Sequence, residues 1–185
     1  MTQHRRCLLL SPALALAWAV AAAPLPAQGS ATGPRTTLAL GLGLSNSAMS
    51  VGGTSGDATG LLALVRFQQR KFALELEFHP YTVPSPVIDE GFRAFYALAG
   101  LRLPLESHVY LLPALGLQFR FWTGSQRVTG SDYGPALGVV LGASLRLDAN
   151  TTLSPELAYR TALIELKGSV STRVLAARVL IVRHL

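Results

Sequence analysis

The stretch "LALGLGLS", residues 38–45, places a leucine at every second position and only alanine or glycine between them. A helix, with its period of 3.6, would scatter those leucines around its circumference, whereas a strand lines them up on one side. The same two-residue rhythm recurs in "GLLALVRFQ" (60–68), "KFALELEFH" (71–79), "FRAFYALAGLRL" (92–103) and "VYLLPALGLQFRF" (109–121). It returns in "PALGVVLGASLRL" (135–147), "TLSPELAYRTA" (152–162) and "STRVLAARVLIVRHL" (171–185). Together these are eight strand candidates, each close to the roughly 9–11 tilted residues that cross a bilayer. No apolar run of helix-spanning length, about 18 residues or more, follows the first thirty residues, so spanning helices are excluded.

The connections alternate too. They are long at 46–59, 80–91 and 122–134, short at 69–70, 104–108 and 148–151, and intermediate at 163–170. Membrane barrels put tight turns on the periplasmic side and longer loops outside, and eight strands bring both termini to the turn side. The long gaps are rich in Gly, Ser, Thr and Pro, as in "NSAMSVGGTSGDAT" and "PYTVPSPVIDEG", which reads as loop. Glycine-rich "GGTSGDATG" lacks the Gly-Lys-Ser/Thr ending of a phosphate loop and is read the same way. "NTT" at 150 is a formal glycosylation sequon that suits a turn.

The chain begins with Arg5 and Arg6, then the apolar run "CLLLSPALALAWAVAAA", then "PLPAQG". These are the basic, greasy and small-residue regions of a secretory signal, with cleavage expected near Ala27 or Gln28. Residues 1–28 are therefore expected to be a removed signal peptide of Sec-type export, and 29–185 a single barrel domain. A lipoprotein signal needs cysteine at the cleavage point, but Cys7 precedes the apolar run, so the exported product is expected to hold no cysteine and no disulfide. Without Arg5 and Arg6, fourteen basic residues face ten acidic ones, a charge of +4. Only Lys71 and Lys167 are lysines, an unusual choice for a surface that faces water throughout. The arginines are dispersed and form no nucleic-acid-binding run, so nucleic acid is excluded as a partner.

Two architectures share eight alternating strands behind a signal peptide: a soluble lipocalin-like barrel with its apolar face inward, and a membrane barrel with that face outward. One face carries bulk throughout, from Leu38, Leu40, Leu42 and Leu44 to Leu175, Val179 and Ile181, too much volume for the interior of eight strands. The other alternates small residues such as Gly41, Gly43, Gly138 and Gly142 with long charged ones. A wet surface has no use for strand glycine, which weakens pairing and marks close approach. The expected fold is therefore an all-β, eight-stranded antiparallel up-and-down transmembrane β-barrel, its leucines in lipid and a crowded polar lumen behind them.

Lumen parity assigns Arg66, Glu75, Glu77, Arg102, Arg120, Arg146, Glu156, Arg160 and Arg178 to the bore. Buried charge without a partner is costly, so these are expected to bridge one another and plug the lumen, with Arg120 and Arg160 at the outer rim left facing water. Aromatics sort by depth: Phe78, Phe95, Phe119, Phe121, Trp122 and Tyr159 lie toward the long-loop end, and Phe67, Phe72 and Tyr110 at the other, as in the girdles of bilayer interfaces. Pro113 and Pro155 fall inside strands, where each removes a ladder hydrogen bond and predicts a bulge or local fraying.

With segments such as "LLPALGLQFRF" and "LSPELAYR", residues 36–185 resemble the small eight-stranded outer-membrane barrels of the OmpA and OmpX type. The resemblance implies the outer membrane of a diderm, Gram-negative bacterium, with membrane lipid and lipopolysaccharide as surroundings and the barrel assembly machinery as a partner during insertion. That machinery reads an aromatic at the end of the last strand, where this chain has Leu185. The monomer is the expected state. Some small barrels hydrolyse lipid A, but His79 is placed at the lumen rim, His108 in a turn and His184 next to the end, so no catalytic set is assigned. Asp57, Asp89, Glu90 and Asp132 are scattered over separate loops, and no metal or cofactor site is assigned. The function expected is a structural or surface-interaction role through the long loops. A narrow pore for small solutes or apolar compounds is the alternative, and a lipid A-modifying enzyme comes third.

Overall fold

The computed structural model describes residues 36–51, 54–81, 92–123, 129–162 and 171–185; residues 1–28, the expected signal segment, lie outside them. Eight long strands follow one another: β1 (Thr36–Val51), β2 (Thr54–Gln69), β3 (Phe72–Tyr81), β4 (Phe92–Leu101), β5 (Val109–Thr123), β6 (Thr129–Ala143), β7 (Thr151–Ala162) and β8 (Ser171–His184). Each pairs antiparallel with its neighbour in sequence, and β8 pairs with β1 from Thr37↔His184 to Ser50↔Ser171. That last pairing closes the sheet into a barrel and removes its edges, which would otherwise expose unsatisfied backbone groups to lipid. The backbone N–H of Leu185 donates to Thr36 O at 2.9 Å, so the seam is stitched to the last residue.

Two-residue continuations, Leu103–Pro104 and Leu145–Arg146, extend β4 and β6 after short gaps in their ladders. The gaps have one cause. Pairing of β4 with β5 stops at Gly100↔Ala114 and resumes at Leu103↔Leu111, across from Pro113; pairing of β6 with β7 stops at Gly142↔Glu156 and resumes at Leu145↔Leu153, across from Pro155. Proline offers no N–H to the ladder, and here both prolines sit where that donor is missed. The register is unchanged across each gap, so the effect is a lapse without a bulge. On their other sides the same strands stay in register: Arg102 N donates to Lys71 O at 2.6 Å, continuing the β3–β4 ladder, and Ser144 N donates to His108 O at 2.7 Å, continuing that of β5 and β6.

The faces divide as alternation predicts. Leu40, Leu42, Leu61, Leu115 and Ile181 are exposed outward, while their neighbours Ala39, Gly41, Leu62, Ala114 and Leu180 are buried in the bore. A surface this apolar is unstable in water and stable in hydrocarbon, which places the molecule in a membrane. Residues 46–59 correct the loop reading: β1 and β2 continue as a paired hairpin to Val51↔Thr54. Serine, threonine and glycine there still satisfy the two-residue period, with Ser45, Ser47 and Ala58 turned into the bore, so composition alone misjudges where the strands end.

Candidate functional site

Within the bore three arginines and three glutamates pair with one another as a balanced cluster. Cross-strand register supplies its basic units: Arg66 stands opposite Glu75 on β2 and β3, and Arg178 opposite Glu156 on β8 and β7. Arg66 reaches Glu75 through Nε at 2.7 Å and Glu156 through Nη1 and Nη2 at 2.5 and 2.9 Å. Arg178 donates from Nε to Glu156 at 2.7 Å and from Nη2 to Glu75 at 2.9 Å, and pairs with Glu77 as well. Arg160 reaches Glu77 at 2.7 Å and pairs with Glu75. All six side chains are at most 4 % exposed, so water does not screen them, and each charge depends on the others for compensation.

Small residues make room for these long ones. Register sets Gly43 opposite Arg178, Gly138 opposite Arg160, Gly142 opposite Glu156 and Ala39 opposite Arg66. A methyl group on Gly138 would come within 2.8 Å of Arg160 Nη1, and one on Gly142 within 2.5 Å of Tyr110 Cζ. The bare side of "LALGLGLS" is thus the volume into which charged chains fold, as strand glycine at a close approach implies.

The network is extended at both ends by groups that parity or depth had placed elsewhere. Tyr110, assigned to the girdle, is a lumen residue, 2 % exposed, whose hydroxyl donates to Glu156. It shares the even-numbered side of β5 with Leu112, Ala114 and Gln118; its nearness to a turn says nothing of its face. A Tyr110→Phe variant is expected to lose about 1.5–3 kcal/mol of stability in a urea titration, the usual worth of a hydrogen bond to a charged group. At the other end, His79 lies between Ser45 Oγ, 3.2 Å from Nδ1, and Glu77 Oε2, 3.2 Å from Nε2, with its ring edge-on to Tyr96 at 5.3 Å. The order Ser, His, Glu has the form of a nucleophilic triad. However, Ser45 and His79 are 2 % and 0 % exposed, and Glu77 is held by Arg160 and Arg178, so the arrangement knits the core.

Three predicted bore residues stand apart. Arg146 is exposed beyond the end of the bore, its guanidinium donating to the carbonyls of Asp148 at 2.9 Å and Ala149 at 3.3 Å in its own turn. Its parity is right and its depth is not. Arg102 is half-buried over the Tyr110 ring, 3.9 Å from its centroid, and donates to Ser144 Oγ at 2.5 Å. Arg120 and Arg160 do not face water: both are 1 % exposed, and Arg120 lies in register with Asp132. Apolar residues share the interior as well, Leu62, Leu64, Leu98, Leu112, Val140 and Leu180 among them. All but Leu98 occur where consecutive bulky aliphatic residues, as in "GLLALV" and "RVLIV", blur the alternation.

The outer belt is a row in the sheet. Phe78, Phe95, Phe119 and Tyr133 stand opposite one another in turn across β3 to β6, with Phe95 and Phe119 centred 6.4 Å apart and Phe119 stacked on Tyr133 at 6.5 Å. Phe121 and Tyr159 are exposed on the same outward face, Phe67 and Phe72 are exposed at the turn end, and the side chain of Trp122 lies outside the described residues.

No family model matches the chain, and no curated protein does. Solved structures do. Neisserial surface protein A, NspA, is 15 % identical with a TM-score of 0.57, covering 79 % of this chain and 96 % of that one. The attachment invasion locus protein Ail of Yersinia pestis, solved with the heparin analogue sucrose octasulfate, is 13 % identical with a TM-score of 0.53, covering 80 % of this chain and 98 % of its own. The chain folds as a small outer-membrane-type barrel. At such identities the likeness is one of fold, with no residue carried over.

Proposed function

We propose that this protein is a non-enzymatic outer-membrane barrel of a diderm bacterium, exported by a Sec-type signal, with a plugged lumen and a structural or surface-interaction role at its long-loop end. The observation that carries this reading is the Arg66, Glu75, Glu77, Glu156, Arg160 and Arg178 cluster, whose ion pairs span the bore and leave each side chain almost wholly buried. A continuous file of water would need these groups apart, and separating them leaves buried charges uncompensated. Beyond the aromatic row the β1–β2 hairpin continues to Val51↔Thr54, presenting regular backbone above the lipid. Arg93 emerges among Phe78, Phe95, Phe119 and Phe121 on the outward face, a place suited to an anionic lipid headgroup such as that of lipopolysaccharide. Purified protein reconstituted in a planar bilayer is expected to give no conductance steps. Steady unitary currents would instead favour the narrow pore.

A further inference from the structure

At the end that carries the short turns, the barrel opens into a cavity of about 320 Å³. Its wall is basic: Arg70, Lys71, Arg102 and Arg146 line it, and Glu106 is the one carboxylate among the described lining residues. Arg66 at its floor is already spent on Glu75 and Glu156 and adds no net charge. Two of the four cations are held in ways that the barrel itself does not need. Arg102 is stacked on Tyr110 and bonded through Nη2 to the neutral Ser144, and among the described residues no carboxylate pairs with it. A guanidinium carries five N–H donors in a fixed fork matched to oxyanions, so most of that fork is left for the cavity. Arg70 sits in the two-residue turn between β2 and β3 at a φ of 55°, the left-handed region that glycine or asparagine occupies with less strain. A strained arginine at a position where the turn favours a smaller residue points to a use for its side chain.

We propose that this mouth binds a phosphate-type oxyanion, with Arg102 as the forked anchor and Arg70 and Lys71 closing over it from the rim. The ligand belongs to the phosphate class whether it is a soluble periplasmic compound or the phosphodiester headgroup of an inner-leaflet lipid. The site does not depend on whether the bore above it conducts.

Inorganic pyrophosphate is titrated calorimetrically into the folded full barrel in uncharged detergent at low salt. The expected result is saturable one-to-one binding that weakens as salt rises. Arg102→Gln is expected to weaken it at least tenfold. Arg70→Asn is expected to weaken it several-fold while leaving the urea midpoint unchanged or higher, which separates loss of the site from loss of the fold. Arg183→Gln, on the outward face at the same end where its Nη1 donates to Thr151, is expected to change nothing. Absence of saturable binding overturns the proposal, and so does an equal loss in the Arg183 and Arg102 variants, which would mean diffuse attraction. If Arg102→Gln does not fold, unchanged affinity in Arg70→Asn overturns it alone. Repeating the titration in nanodiscs of phosphatidylcholine, with and without phosphatidylglycerol, distinguishes the sources. Equal affinity in both identifies a soluble ligand, and loss of binding with phosphatidylglycerol identifies the headgroup as occupant.

Discussion

Glu75→Gln is expected to lower the folding stability of the barrel by about 3–5 kcal/mol, the cost of leaving buried charge without its partner. Glu75 accepts from Arg66, Arg160 and Arg178 at once, and its side chain is 2 % exposed, so no water can take over when the carboxylate becomes an amide. The substitution keeps shape and removes charge, turning a balanced set of three and three into three cations facing two anions. Unfolding in urea, followed by the mobility of unboiled protein on a gel, measures the loss. Removing a cation as well, in Glu75→Gln with Arg160→Gln, is expected to recover part of it, because the balance returns to two and two; residues sharing one network are not additive. A single variant within about 1 kcal/mol of the parent would mean that the pairs behave as solvated surface pairs, and the plugged bore would go with them.

How much of this was legible beforehand follows from which physical variable each feature depends on. Side-chain face depends on parity alone, and parity is written in "LALGLGLS" and "KFALELEFH" without knowledge of any partner strand. Alternation therefore identifies the lipid side of β1 and β3 and the inward turn of Glu75 and Glu77. Depth depends on where each strand meets the membrane edge, which a single strand does not record. Arg146 has the parity of the lumen yet lies past its end, hydrogen-bonded into its own turn. Tyr110 departs in the opposite sense: its depth is that of a girdle aromatic, but its even-numbered position beside Leu112 and Ala114 turns it inward. Partner choice depends on register. That Arg66 would bridge to Glu156, ninety residues away, follows only once β1 and β8 close the barrel and bring β7 and β2 across one narrow bore. The Ser45, His79 and Glu77 contact was hidden for the same reason, Ser45 belonging to β1 and the other two to β3. The Pro113 and Pro155 lapses were half legible: the missing donor is in the residue, but which neighbour loses it is in the pairing.

Leu42→Arg tests the orientation on which all of this rests. Leu42 is 72 % exposed within the outward leucine run of β1 (Leu38, Leu40, Leu42 and Leu44), further from the turn end than Leu38, between Ala63 and Val179 on its two neighbours. If hydrocarbon covers that face, an arginine there costs about 2–4 kcal/mol in a bilayer, measured by urea unfolding from lipid vesicles. The same change at Leu38, which is 40 % exposed and registers with Arg183 near the turn end, is expected to cost about 0–1 kcal/mol, because a long cation at that depth reaches the interface. The gradient between the two positions is the informative quantity. Both residues belong to the same strand, alternate with small lumen residues and differ chiefly in distance from water, so propensity and local packing largely cancel between them. A wet outer face would make both substitutions nearly neutral, within about 0.5 kcal/mol. A steep fall from Leu42 to Leu38 has no source other than a low-dielectric slab around the barrel, the same surroundings that force Glu75 and its arginines to find one another inside.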